Sequence, residues 1–219
     1  MGIATLVVSS MFGRVPGLAV CGPSGGAGPV IAFELVRTAE QVLALFGSEP
    51  CTSTLIAAQR EALWLDLLGF IPAYAAFLAL GAFALRRSGL LLALVTMSVF
   101  LAAGTFDELE GLVMFRILGA MPGSDAMYQA LFWTVRPKFA LLGAGEILLA
   151  ALLWRGPLLA KIASGLLLAG GLASLYFLFN DPHAPAMMKA HSYAWGALLV
   201  VALIGVVRPD FVTRETPAA

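Results

Sequence analysis

Charge is what this sequence has least of. Asp, Glu, Lys and Arg make up 12% of 219 residues, about half the ~25% share of an ordinary soluble domain. The 13 basic and 13 acidic residues cancel, so no overall field points to nucleic acid or an acidic substrate. Histidine occurs twice, at His183 and His191, and cysteine twice, at Cys21 and Cys51. No HExxH, P-loop, CxxC or nucleophile-elbow pattern is present, so no motif assigns a catalytic residue, a metal or a cofactor. Both histidines are placed in or at the edge of the last outer loop. There His183, Met187, Met188 and His191 match no strong copper motif, and neither histidine lies inside a span to hold a haem.

Apolar residues fill the space that charge leaves. They make up 60% of the chain, and the mean hydropathy is +0.92. A water-soluble protein of this size cannot hide so much apolar surface. The sequence therefore predicts an all-α integral membrane helix bundle, a single domain over 1–219, with about six spans of ~20 residues each. Four stretches meet that length: Trp64–Leu85, Leu90–Leu118, Met127–Trp154 and Leu158–Phe179. Tyr193–Val207 is shorter and ends at Arg208-Pro209, and Ile3–Val20 is interrupted by Arg14 and Pro16.

Lys and Arg in short loops orient such bundles. Arg86, Arg87, Arg155, Lys161, Arg208 and Arg214 fall in alternate connections. That predicts a bacterial inner membrane protein, with both termini cytoplasmic if Ile3–Val20 spans, although Arg37, Arg60 and Lys189 run against it. The outer side then receives the segment over 21–61. Its glycine- and proline-rich start is irregular. Thr38 and Gln41 at capping-box spacing, the stripe Val42, Leu43 and Phe46, and the stop Gly47 predict a short amphipathic helix. Cys21 and Cys51 both fall in this segment. In an oxidising compartment they are positioned to form one disulfide, the alternative being two unpaired thiols.

Ionisable groups inside spans are costly and normally face the bundle interior. Asp66, Asp107, Glu108, Glu110, Arg136, Lys138 and Glu146 are such groups, and all but Glu146 fall toward the outer side. Asp107 and Glu110, three apart, share a helix face, whereas Glu108 points away. Lys138 is the better interior candidate of its pair, since Arg136 can snorkel outward. Asp66 shares a face with Phe70 and Tyr74. Pro72 and Pro137 each free a backbone carbonyl near the same level. Asp66, Tyr74, Asp107, Glu110 and Lys138 thus predict an outer polar pocket, or a set of interhelical ion pairs that orient the spans.

Three stretches, Ile31–Thr38, Leu65–Tyr74 and Phe106–Gly111, resemble a large family of small bacterial multi-span membrane proteins with no assigned activity. That family has a Phe-Glu-Leu segment after the first span, an Asp-led second span reading LDF-FIP-Y, an Asp-x-x-Glu-Asn signature in the third and a Lys in the fourth. Glu34, Asp66, Asp107, Glu110 and Lys138 stand at those places, while Gly111 replaces the usual Asn. The resemblance implies the same bundle, adds Glu34 to the cluster and supplies no function. The expected activity is non-enzymatic binding or transport of a small molecule or lipid through the charged cluster, with membrane lipids as partners. The alternatives are an accessory subunit contacting a partner membrane protein and, behind it, a lipid-modifying enzyme using Asp107 or Glu110.

Overall fold

A computed structural model describes residues 1–208; Pro209 and Arg214 lie outside them. Every regular element among these residues is helical. Four helices are long and apolar enough to cross a bilayer: Cys51–Ala84, Leu90–Gly119, Leu158–Asn180 and Pro185–Val207. The first is two α-helical pieces, α4 (Cys51–Leu65) and α5 (Ile71–Ala84), joined by one π-helical turn over Asp66–Phe70. The others are α6 (Leu90–Gly119), α8 (Leu158–Asn180) and α9 (Pro185–Val207). Between α6 and α8 packs α7 (Asp125–Leu153), 29 residues long. It carries Asp125, Arg136, Lys138 and Glu146, and its interior position is what makes two of those charges bearable: Lys138 and Glu146 are both buried against neighbouring helices.

Small residues set the helix spacing. A side chain at Gly171 in α8 would meet the Gly143 carbonyl of α7 at 2.6 Å, and one at Gly170 would meet the Ala190 carbonyl of α9 at 2.9 Å. Backbones approach this closely only where no Cβ intervenes.

The amino-terminal helix is shorter than the sequence suggests. α1 spans Gly2–Phe12, about 16 Å at the usual helical rise against a hydrocarbon core of ~30 Å. Gly13, Arg14 and Pro16 end the apolar periodicity, and a 3₁₀-like turn follows. Gly2 abuts Phe77 and Leu199, and Phe12 packs edge-on to Phe70 at 5.8 Å. α1 therefore lines only the upper half of a slot between α5 and α9. An apolar groove of about 510 Å³ continues the slot below Met1.

The segment over 21–61 divides differently from expectation. Its last eleven residues belong to the long helix, which starts at Cys51 rather than Trp64. The rest folds into a cap of two short helices, α2 (Pro29–Glu34) and α3 (Ala39–Phe46). The Thr38 side chain accepts a hydrogen bond from the Gln41 amide, and Gly47, at φ 66°, ends α3 in a conformation that favours glycine. The buried stripe is Val42, Leu45 and Phe46, with Leu43 exposed. Spacings of three and four from Val42 select that face, and Phe46 closes edge-on against Phe33 at 5.1 Å. A disulfide joins Cys21 to Cys51, with Cα atoms 5.9 Å apart. The Gln59 amide donates to the Pro29 carbonyl at 2.8 Å. Both links fasten the cap to α4.

The two ends of the bundle differ in charge. Arg155 donates to the Ser88 carbonyl, so the α5–α6 and α7–α8 turns meet at one end. That end carries Arg86, Arg87, Arg155 and Lys161 without an acidic residue in either turn. The cap and the in-span acids gather at the other.

Candidate binding cavity

Lys138 is the centre of the charged cluster. Its Nζ lies 2.8 Å from Glu34 Oε2, 3.1 Å from Asp107 Oδ1 and 2.7 Å from Glu110 Oε2. The first two contacts are hydrogen bonds, while Glu110 sits off the hydrogen-bond directions as an ion contact. Asp107 and Glu110 reach Lys138 together because three residues of α6 return them to one face. Glu108 points elsewhere. Tyr74 donates to the second oxygen of Asp107 at 2.6 Å. Lys138, Asp107, Glu110 and Glu34 are all buried, Glu34 having been carried in by the cap. Burial raises the Glu34 carboxyl above the ordinary carboxylate range, against the opposing pull of Lys138.

Asp66 belongs to the same region without sharing its pairs. It is half-buried, and none of the ion pairs among the described residues includes it. The π turn explains its placement. Pro72 has no amide hydrogen to donate, and just before it the Ile71 amide bonds back to the Asp66 carbonyl, five residues away. The extra residue shifts Asp66 off the simple α-helical register with Phe70 and Tyr74.

A cavity of about 390 Å³ opens beside these groups. Glu34, Asp66, Tyr74, Asp107 and Lys138 form its polar side, whereas Glu110 is packed behind Lys138 and does not reach it. Phe12, Phe70, Phe139 and Trp195 supply apolar wall. Ser9, Gly13 and Gly28 on its border are exposed, so it opens between α1 and the cap.

The opposite wall holds a pair of residues the sequence reading did not join to the cluster. His191 lies inside α9, not in a loop, because the helix starts at Pro185. It is 2% exposed, and its Nδ1 is 2.7 Å from Glu146 Oε1. Trp195, one turn on, donates its indole hydrogen to the same oxygen at 2.7 Å. Two ring contacts join the halves of the site: Tyr74 stacks on Trp195 at 5.1 Å, and the Phe139 ring lies 4.3 Å from Lys138 Nζ and 6.0 Å from the His191 ring. The helical spacing of Met188, His191 and Trp195, with proline as a helix start, was the available signal.

Arg136 does not snorkel into open solvent. It donates to the Leu178 carbonyl near the end of α8 at 2.9 Å, where a cation suits the helix dipole. Arg37 of the cap shares the Phe132 ring with it, and burial, then Arg136, lowers the Arg37 guanidinium to about 10.

No grouping of three or more His, Cys, Asp or Glu side chains among the described residues has the arrangement to hold a metal ion. Comparison with family models, curated proteins and solved structures returned no match.

Proposed function

We propose that this chain is a multi-pass bacterial inner membrane protein that binds a small molecule or lipid headgroup, without chemical change, in the cavity beside Lys138. The carrying observation is a roughly 390 Å³ space with apolar walls and a few convergent polar groups on one side, the usual form of a ligand site. Lys138 is held by three acids and Tyr74 by Asp107, which argues for recognition over a free nucleophile. The cavity end faces outward in this reading, with the end of α9 toward the cytoplasm and Met1 partway across the bilayer. Two observations support that orientation: the basic turns at the opposite end, and a disulfide on the cavity side, where an oxidising compartment sustains one. The family resemblance supports the bacterial setting.

Mass spectrometry of protein purified in mild detergent tests the binding. A co-purifying molecule is expected from the native chain and is expected to be lost from a folded Asp107→Asn variant. Equal retention by both would remove the cluster from the function.

A further inference from the structure

Resting on that reading, we infer that the cavity selects an organic cation bearing N–H groups, such as a primary ammonium. Beside the Ser9 hydroxyl and the first amides of α2 at its border, the cavity leaves a ligand two side-chain acceptors. Glu146 Oε1 accepts from the Trp195 indole and lies 2.7 Å from His191 Nδ1. The Glu146 contact places a hydrogen on Nδ1, and in the neutral imidazole Nε2 is then the ring's acceptor. That Nε2 is buried without a hydrogen-bond partner, on a residue that lines the cavity. A buried polar atom left unpaired is costly, and a ligand hydrogen relieves the cost. Asp66 supplies a second acceptor without an ion-pair partner.

Charge runs the same way. Glu34, Asp66 and Asp107 line the space together with one ammonium, Lys138, so carboxyl groups outnumber cations along the wall and a cation suits it better than an anion. The Phe70, Tyr74 and Trp195 rings pack on one another along the wall, with centroids 5.1 to 6.4 Å apart. Their faces and edges suit the methylenes and positive head of an alkylammonium. A quaternary ammonium satisfies the charge but donates no hydrogen, and that difference separates this site from a simple cation trap.

The test uses the full chain in nanodiscs of phosphatidylglycerol alone, titrated by calorimetry with hexylammonium, hexyltrimethylammonium and hexanol. Hexylammonium is expected to bind roughly tenfold or more tighter than the trimethyl compound, the usual worth of a charge-assisted hydrogen bond, with hexanol weakest. Asp66→Asn, a half-buried site outside the ion pairs, is expected to fold normally and lose most of that preference; His191→Phe is read beside it. Equal affinity for the two cations overturns the inference while leaving a binding cavity in place. Tighter binding of hexanol overturns it too. If no compound binds and no molecule co-purifies, the binding function fails with it. A parallel arm supplies phosphatidylethanolamine or phosphatidylcholine in the nanodisc. Selective retention of phosphatidylethanolamine after detergent exchange identifies a lipid headgroup as the source of the amine, and hexylammonium binding without lipid selection identifies a free amine.

Discussion

Lys138 gathers more ion pairs than any other side chain among the described residues. Three acids from the cap and α6 converge on it, none with a side chain more than 9% exposed. Such a group is weak evidence for net stability, because desolvation consumes most of the Coulomb gain, but removing one partner is expensive. Lys138→Met is therefore expected to lower stability by about 3–5 kcal/mol, read as a drop in detergent melting temperature. Adding Glu34→Gln, Asp107→Asn and Glu110→Gln should return much of that loss, since all three orphaned acids go with their partner. The in-span charges were legible because an ionisable residue stands out in an apolar run. Their pairings were not, because these depend on helix rotation and depth. Glu34 was visible only through the family resemblance. His191 was missed because its helix starts eight residues earlier than the apolar run.

At the scale of elements, the cap and the close helix contacts do different work. The cap brings Glu34 to Lys138 and is fastened to α4 by the Cys21–Cys51 bond. Cys51→Ser is expected to cost about 2–4 kcal/mol and to expose the Cys21–Ser48 stretch to limited proteolysis, while the spans stay resistant. Uniform cleavage of native and variant protein would show the cap held by packing alone. The α7–α8 contact has no covalent tether; the Arg136–Leu178 and Ser164–Ala150 hydrogen bonds tie it, and its close approach rests on fit. Gly171→Val, whose first carbon meets the Gly143 carbonyl, is expected to cost about 1–3 kcal/mol by forcing the helices apart, with melting again the readout. Apolar length made the span helices legible. The cap was legible in part: the Thr38 start and Gly47 stop stand where expected, yet the stripe needed Leu45 in place of Leu43. The join at Asp66–Phe70 had no signature beyond the proline after it.

For the whole molecule, the asymmetry of the two ends sets a direction. Arg87 is exposed at the basic end and Ser48 on the cap. In intact cells, a membrane-impermeant maleimide is expected to label Ser48→Cys, and Arg87→Cys only after permeabilisation. The reverse pattern would invert the proposed orientation and place the disulfide in a reducing compartment. Composition announced a membrane bundle at once, because no soluble packing buries such a sequence. The reach of the amino-terminal helix was not announced. Hydropathy sums over Ile3–Val20 without regard to whether the backbone turns at Gly13.

The π turn between α4 and α5 makes this helix one residue longer than the same path in α-helical form. Deleting Gly69 removes no charged or aromatic side chain from the cavity. If the turn closes to α geometry once that residue is gone, the path is restored and everything before it keeps nearly the same phase relative to α5. Asp66 then still faces the cavity, Arg60 still reaches the Leu118 carbonyl it holds at 2.9 Å, and Cys51 stays beside Cys21. The deletion is expected to keep both thiols oxidised and closed to alkylation, whereas one alanine inserted into α4 after Trp64 turns everything before it by about 100° and is expected to leave them free. In this chain the turn is thus a slot that can give up one codon while the two halves of the site stay in step.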